Sequence, residues 1–325
     1  MISQKINNSD NERKEKVLII KTGWSEILDK DTTSRKTSLG DVLRTTAILP
    51  LYKDKRVTWL TDEKAVPLLH KNPMIERILP ADYVTFQQLE YEYFDIVVNL
   101  EKIPGLCALT KKIDAWRKYG YRLDPESGEI KAYENSLNIL SVSFTHELKK
   151  QNTKTAQELL YESVGEKWNG EEYVLHVPDN KEVYDIALNT RAGQKWACKS
   201  WSMKNWDILE EKLKQKYKIT RQDKQPKEVL ENLHTYIKWI NSARLTVSND
   251  SLGMHIAFAL RKKTIGLFGP TSATEVYFYG RGKAITPDIK YICIPCFEPN
   301  CDKETPCIET ITPERVYAEI EELLK

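Results

Sequence analysis

The chain has 325 residues, and at about 100–200 residues per domain this length predicts two domains of ordinary size. The 49 basic and 47 acidic residues leave a formal net charge of +2, which argues against a dedicated nucleic-acid-binding protein. No apolar run approaches the about 20 residues of a membrane-spanning helix, and the polar N-terminus shows no secretory signal. A cytoplasmic location is therefore expected, with a peripheral position at the inner membrane left open.

The N-terminal half alternates apolar strands with helical segments, which is typical of a parallel α/β sheet. The run at 17–20 predicts a strand buried on both faces, and further strands are predicted at 56–60, 75–79 and 94–100. A helix is predicted at 155–164 because its apolar residues share one side.

Gly40-Asp41 stands at the start of a second predicted helix, whose apolar face begins at Val42. Asp41 has two interpretations. It is either a charge that suits the positive end of the helix dipole or a general base.

The C-terminal half repeats the pattern after a boundary near Gly165–Gly170. Strands are predicted at 184–189, 217–220, 245–247 and 264–268, and helices at 206–213, 234–243 and 314–324. Two such halves predict a cleft between them, because ligands of open parallel sheets bind outside the carboxyl ends of the strands.

The turn after the strand at 245–247 is the best candidate for ligand binding. Asp250 and Ser251 are good N-cap residues, so the turn should aim backbone N–H groups and a positive helix end at an anion. Asp250 could accept from a sugar hydroxyl and His255 could donate to an oxyanion. The alternative is an ordinary capped helix.

Several motifs are absent from the sequence. No G-x-G-x-x-G follows the first strand, and no P-loop, H-E-x-x-H or G-x-S-x-G sequence occurs. The absence of these motifs argues against a nicotinamide-dependent enzyme and excludes a P-loop NTPase.

Three ordered stretches resemble glycosyltransferase family nine, the ADP-heptose:lipopolysaccharide heptosyltransferases. The first runs from the strand at 16–21 to Ser38–Leu43. The second is 189–201, and the third joins Asp250-Ser251 and His255 to the turn at 267–271. The stretches lie in both halves and occur in the family's order.

The resemblance implies a GT-B fold, with two Rossmann-like domains facing a cleft and the nucleotide-sugar donor bound in the C-terminal half. It implies an inverting reaction without a catalytic metal or other cofactor, from ADP-heptose or a related donor to a saccharide, lipid-linked or protein acceptor. It makes Asp41 the general base. The implied donor-binding residues are Thr190, Lys199, Asp250, Ser251, Gly253, His255, Gly269 and Thr271.

For Lys199 and His255 the alternatives are a surface lysine and a core histidine. Gly253 stands one place later than the glycine of many family members.

The expected domains are 1–165 for the acceptor, 166–312 for the donor, and a C-terminal helix at 313–325. Residues 23–36 form an insertion relative to the family, and it is interpreted as an acceptor-binding lid. Its candidate acceptor residues are Trp24, Arg35 and Lys36.

A cysteine-rich segment at 293–307 precedes the last helix. Four thiolates at this spacing could hold one tetrahedral structural metal ion, with zinc as the default and iron as the alternative. Free thiols or disulfides remain open. The four residues are Cys293, Cys296, Cys301 and Cys307.

Two other functions remain open at this point. One is a nucleotide-sugar hydrolase or epimerase of the same fold. The other is a non-catalytic binding protein stapled by a metal ion.

Overall fold

The computed structural model of the chain describes residues 13–24, 37–177, 179, 181–289 and 291–325. Two α/β units follow each other along the described chain, as the sequence predicts. The strands of the first unit are β1 (Lys16–Ile20), β2 (Arg56–Thr61), β3 (Arg77–Pro80), β4 (Tyr93–Asn99), β5 (Asp114–Leu123) and β6 (Ile130–Ala132). Its helices are α1 (Leu39–Thr45), α2 (Val66–Leu69), α3 (Tyr83–Leu89), α4 (Pro104–Lys112), α5 (Leu137–Phe144), α6 (His146–Gln151) and α7 (Ala156–Glu162).

The second unit contains the strands β7 (Tyr184–Asn189), β8 (Ile219–Arg221), β9 (Ala243–Asn249), β10 (Lys263–Leu267) and β11 (Gly282–Ile285). Its helices are α8 (Met203–Leu213), α9 (Lys227–Glu231), α10 (Leu233–Asn241), α11 (Leu252–Ala259) and α12 (Pro313–Leu324). Short 3-10 helices lie at Gln194–Lys199 and Ala273–Glu275.

The strand order determines where each unit can bind a ligand. The first sheet has the order β3-β2-β1-β4-β5-β6, in which only β6 is antiparallel to its neighbour. The second sheet has the order β11-β10-β9-β7-β8, and all its pairings are parallel. The order reverses beside β1 and beside β7, so the crevices expected to bind ligands open at the ends of these two strands.

A continuous apolar core joins the two units. Val42 and Leu43 of α1 belong to the same buried cluster as Met254 and Phe258 of α11. The α1–α11 and α2–α10 contacts therefore bring the ends of the two sheets face to face across a cleft. On the outer sides each unit has a separate apolar cluster, and α12 packs on α8 in the C-terminal one.

The predicted strands and helices form, with shifted ends. The α3, α4 and α9 helices and the β11 strand were not predicted from the sequence. Residues 137–148, for which no element was predicted, form α5 and the first half of α6. The β5 and β6 strands were not predicted either, and they form an antiparallel hairpin. Among the helices of the described residues, none has the length and apolarity to cross a bilayer.

Candidate active site

A cavity of about 870 Å³ occupies the cleft between the two units. This volume lies within the range of small-molecule and cofactor sites. Both units contribute to its walls. Seven of the residues expected to carry the function line it: Asp41, Lys199, Asp250, Ser251, Gly253, His255 and Thr271.

Lys199 and Asp250 form an ion pair on the C-terminal wall. The Lys199 Nζ lies 2.8 Å from the Asp250 Oδ2, and the Thr271 hydroxyl donates to the same oxygen at 2.8 Å. Burial alone would raise the pKa of Asp250, but Lys199 outweighs it and lowers this pKa to about 2. The pair places a fixed ammonium group at the ends of β7 and β9, where a ligand of this sheet is expected.

The α11 helix begins beside this pair. Ser251 is its N-cap residue, but no side chain caps the helix, because the Ser251 hydroxyl interacts with Ser248 and Asn189 instead. A Cβ atom on Gly253 would lie 2.4 Å from the Asn189 Nδ2, so the backbone here passes against the end of β7. The start of α11 thus presents its positive end to the cavity without a carboxylate cap.

Asp41 lies on the opposite wall, in the first turn of α1. Its Oδ1 receives a hydrogen bond of 2.6 Å from the Arg44 guanidinium group one helical turn later. Burial opposes the ionisation of Asp41, but Arg44 and Lys21 outweigh it and hold the pKa of Asp41 well below its usual range. Asp41 is therefore a carboxylate at every pH of interest.

His255 lies between the two carboxylates and is 5% exposed. Burial and the nearby Arg44 lower its pKa to about 3, so the imidazole is neutral near pH 7. Its Nδ1 has no hydrogen-bond partner among the described residues. The ring approaches Gly40, where a Cβ atom would lie 3.4 Å from it. A glycine before Asp41 thus allows α1 and α11 to approach each other.

A second cavity of about 260 Å³ opens into the first unit beside Asp41. Four residues line both cavities, so the two meet there: Asp41, Arg44, Lys149 and Glu275. The rest of the second cavity combines the ammonium groups of Lys21 and Lys102 with apolar side chains. The apolar residues are Leu100, Ile139, Val142, Leu159 and Leu160.

Two of the expected donor-binding residues do not line the cavity. The Thr190 hydroxyl donates to Asp223 at 3.0 Å, and Thr190 is buried at the end of β7. Gly269 packs against the cysteine-rich segment, since a Cβ atom there would lie 2.9 Å from Ile308. Both residues support neighbouring parts of the wall.

The expected acceptor lid is represented in the structure only at its first residues. Trp24 donates from its indole nitrogen to Asp62 at 2.6 Å and packs on the apolar cluster behind the sheet, outside both cavities. Arg35 and Lys36, with most of the insertion, lie outside the described residues.

The structure adds site residues that sequence reasoning missed. Arg44 had a local signal, since a residue three positions after Asp41 on a helix is its neighbour. Lys21 could have been noticed because it directly follows β1. Glu275 lies four residues after Thr271 and could have been noticed for that reason. Lys149 has no such signal, because it reaches the site from α6, 108 residues after Asp41.

The cysteine-rich segment forms a separate small cavity of about 20 Å³, lined by Cys198 together with the four expected cysteines. All five are free thiols, and the Cys198 thiol donates to the Glu298 carbonyl oxygen at 2.9 Å. Within the described ranges, no three His, Cys, Asp or Glu side chains are arranged to hold a metal ion as they stand. Cys198 was not expected, and its position beside Lys199 connects this segment to the donor wall.

Two parallel α/β units whose strand ends face one cleft define the GT-B class of glycosyltransferases, and solved structures confirm this fold. The chain belongs to glycosyltransferase family 9: the model of this family, described as "Glycosyltransferase family 9 (heptosyltransferase)", matches residues 83–306. The resemblance to this family that was seen in the sequence is therefore confirmed.

The curated relatives match this chain over only part of its length. A lipooligosaccharide heptosyltransferase 2 of Campylobacter jejuni is 34% identical over 80 residues, which are 24% of this chain and 25% of that relative. The aligned part is thus a quarter of the relative's length.

Among solved structures, the ADP-heptose lps heptosyltransferase II of E. coli has a TM-score of 0.64 at 16% identity and covers 95% of this chain and 98% of its own. The family 9 glycosyltransferase of Veillonella parvula has a TM-score of 0.65 at 17% identity, with coverages of 95% and 97%. TibC of enterotoxigenic E. coli, described as an iron-containing dodecameric glycosyltransferase, has a TM-score of 0.58 at 12% identity, with coverages of 96% and 76%. At these identities the likeness shows the fold alone.

Proposed function

We propose that the chain transfers heptose from ADP-heptose to a saccharide, lipid-linked or protein acceptor, with inversion and without a catalytic metal ion. One observation carries the proposal. A carboxylate on one wall of the cleft, Asp41, faces an ammonium group and a helix start on the other wall, Lys199 and α11, across one cavity. ADP-heptose is proposed because it is the donor named for the similar E. coli heptosyltransferase II.

The C-terminal wall suits the donor diphosphate. Lys199 supplies a positive charge, and the uncapped start of α11 supplies the positive end of a helix. Asp250 holds Lys199 in place and is available to a hydroxyl group of the donor sugar. As the nucleoside diphosphate leaves, its growing negative charge meets these fixed groups, and this stabilisation replaces a metal ion. Transfer is therefore expected to continue when magnesium and manganese are omitted.

The second cavity suits the acceptor. It meets the donor cavity at Asp41 and extends into the first unit, and neither Lys199 nor Asp250 lines it. We propose that an acceptor lying in it attacks the donor sugar from the side opposite the diphosphate. An inverting displacement needs this in-line arrangement. This cavity therefore replaces the insertion at 23–36 as our proposal for the acceptor site.

Asp41 is proposed as the general base of a single displacement. The acceptor oxygen forms a bond to the anomeric carbon, while the bond from that carbon to the diphosphate oxygen breaks and its electron pair leaves with the diphosphate. The acceptor proton passes to the Asp41 carboxylate. The low pKa of Asp41 suits a late transfer, because the attacking hydroxyl becomes strongly acidic as its new bond forms.

Asp41→Asn tests the base assignment. We expect the rate of transfer to fall by about 10²- to 10⁴-fold while ADP-heptose binds as before, because the amide keeps the shape but cannot accept the proton. The measurement is labelled heptose incorporated into a saccharide fraction from cells that lack this gene, where the acceptor accumulates. Asp54→Asn, in an exposed turn of the same unit, is the control.

Two outcomes would contradict the proposal. Unchanged turnover in Asp41→Asn would remove Asp41 from the role of base. Release of free heptose at the same rate with and without acceptor would show a hydrolase instead of a transferase.

We also propose that the cysteine-rich segment holds a structural zinc or iron ion. Five thiols around one small cavity are a soft donor set that suits either metal. As placed, the thiols do not form a closed ligand set, so the ion would have to draw four of them together. The ion would staple the segment beneath the donor wall and would take no part in the displacement.

A further inference from the structure

Glu275 is a second carboxyl group at the junction of the two cavities. It ends the 3-10 turn Ala273–Glu275, which follows Thr271 of the donor wall. It lines the donor cavity and the acceptor cavity, as Asp41 does from the opposite unit. The resemblance to the family assigned no role to this position.

Three partly buried carboxyl groups therefore line the cavity that is proposed to take a diphosphate, and the exposed Glu231 is a fourth. Asp41 is paired with Arg44 at 2.6 Å, and Asp250 is paired with Lys199 at 2.8 Å. Glu275 differs, because no cationic group of the described residues lies within 4.0 Å of its carboxyl oxygens. It is nevertheless largely enclosed by its neighbours.

Charged groups face Glu275 from each neighbouring element. Lys149 reaches it from α6, Arg44 from α1 and Lys199 from the 3-10 helix, while Asp250 faces it from the end of β9. Asp41 and His255 line the same cavity. Burial raises the pKa of Glu275, and the Asp250 carboxylate raises it further, while Lys149 and Arg44 oppose this shift without cancelling it.

A bound diphosphate changes this balance. The diphosphate brings negative charge next to Glu275, which has no cation close to it among the residues that the structure describes. The more distant cations that face Glu275 are drawn toward the phosphates. A carboxylate would repel the ligand, whereas a neutral carboxylic acid has an O–H group that can donate to a phosphate oxygen. Asp41 and Asp250 keep their own ion-pair partners.

We propose that Glu275 binds the donor as a neutral carboxylic acid, which takes up one proton from solvent with the nucleotide-sugar and donates it in a hydrogen bond to a diphosphate oxygen. The inference rests on the proposed function, since it requires a diphosphate in the first cavity. The binding equilibrium combines the Glu275 carboxylate, one proton and the nucleotide-sugar, and it forms the complex of the neutral acid with the nucleotide-sugar. No covalent bond of the donor changes.

The proposal makes donor affinity dependent on pH in a defined direction. Glu275 must be protonated in the complex, so the affinity is full below the Glu275 pKa of the free enzyme and falls as pH rises through it. The loss approaches about tenfold per pH unit until the complex itself loses the proton.

The test compares the wild-type protein with Glu275→Gln by calorimetric titration with ADP-heptose between about pH 5 and 9. The diphosphate of this probe has no group that titrates in this range. Titrations in buffers with different enthalpies of protonation give the number of protons taken up. Lys102, whose pKa burial lowers to about 8, titrates in the same range in both proteins, so the difference between them is the readout.

Glutamine has the shape of the neutral acid and cannot ionise. We expect Glu275→Gln to match the wild-type affinity at the acid end and to exceed it increasingly toward the alkaline end. The wild-type protein should take up as much as about one proton more per ligand than the variant. Conversely, curves that run parallel across the range, with Glu275→Gln weaker throughout, would reduce Glu275 to an ordinary polar contact and overturn the proposal.

His255 is the competing source of a bound proton, because an incoming anion also favours the imidazolium form. Proton uptake that persists in Glu275→Gln and disappears in His255→Gln would assign the proton to the histidine and overturn the proposal. If the wild-type protein does not bind ADP-heptose at all, the proposed function fails and this inference fails with it. Binding without a difference between the two proteins rejects only the role of Glu275.

Discussion

At the scale of single residues, the donor wall depends on an ion pair that joins distant parts of the chain. Lys199 and Asp250 are 51 residues apart, and Lys199 also lies 4.8 Å from the centre of the Trp196 ring. These contacts hold a long, flexible side chain in one place. A fixed ammonium group in a partly buried cleft interacts with an anion more strongly than a free surface lysine does.

Lys199→Met should weaken ADP binding by about 10- to 100-fold, the value expected for losing one charge-assisted hydrogen bond. Calorimetric titration with ADP measures it, and Lys204→Met, an exposed lysine of α8, is the matched control. Equal affinities for the two variants would show that Lys199 does not contact the diphosphate, as the surface-lysine interpretation holds.

Residue types and spacing in the sequence indicated Asp41, Asp250 and His255, and the family resemblance added Lys199. The structure brings all four to one cavity. The direction of a side chain was harder to predict. Thr190 follows β7 as expected, yet its hydroxyl turns to a carboxylate 33 residues away. The direction of this hydroxyl depends on neighbours in the tertiary structure, so the local sequence pattern cannot predict it.

At the scale of elements, α11 and the cysteine-rich segment carry the donor wall. The α11 helix can start where it does because Gly253 lets the backbone pass Asn189 and Tyr236 closely. Gly253 has an ordinary helical backbone, so its role is to leave space and does not depend on a special conformation. This contact gives a physical reason for a glycine at the second position of the helix.

Gly253→Ala should destabilise the fold by about 1–3 kcal/mol, because its Cβ atom would lie 2.4 Å from the Asn189 Nδ2 and 2.6 Å from the Tyr236 hydroxyl. Denaturant unfolding measures the change. Gly105→Ala, in α4 with open space around the new methyl group, is the control and should leave stability equal or slightly higher. An unchanged midpoint of denaturant unfolding for Gly253→Ala would show that the neighbouring side chains accommodate the new methyl group, and it would contradict the prediction.

The metal proposal belongs to the same scale. We expect the purified chain to contain about one zinc or iron ion, and Cys296→Ser to lower this content and the thermal stability together. Elemental analysis and thermal unfolding measure the two effects, with Cys107→Ser in the other unit as the control. Metal-free protein in which all thiols react freely would contradict the proposal.

At the scale of the whole molecule, the sequence patterns predicted two parallel α/β units and their order, because buried strands read as continuous apolar runs. The edge strand β11 was not visible in the sequence. The β11 strand has only four residues and is only partly buried along most of its length. The strand orders that place both crevices on one cleft come from pairings between distant segments, which periodicity does not encode.

The two units also share one apolar core, so the cleft has a defined shape before a donor arrives. A ligand that binds across this cleft stabilises the folded chain by an amount that grows with the logarithm of its concentration relative to its Kd. Thermal unfolding therefore reports donor choice for the whole molecule without knowledge of the acceptor.

The most direct test is a thermal titration with ADP-heptose beside UDP-glucose and GDP-mannose at equal concentrations. If the cleft binds the donor that we propose, ADP-heptose at about 100-fold above its Kd should raise the Tm by about 5 °C, and the other two should raise it much less. A larger shift with UDP-glucose or GDP-mannose would contradict the donor assignment. No shift with any nucleotide-sugar would contradict the account of the cleft as a donor site.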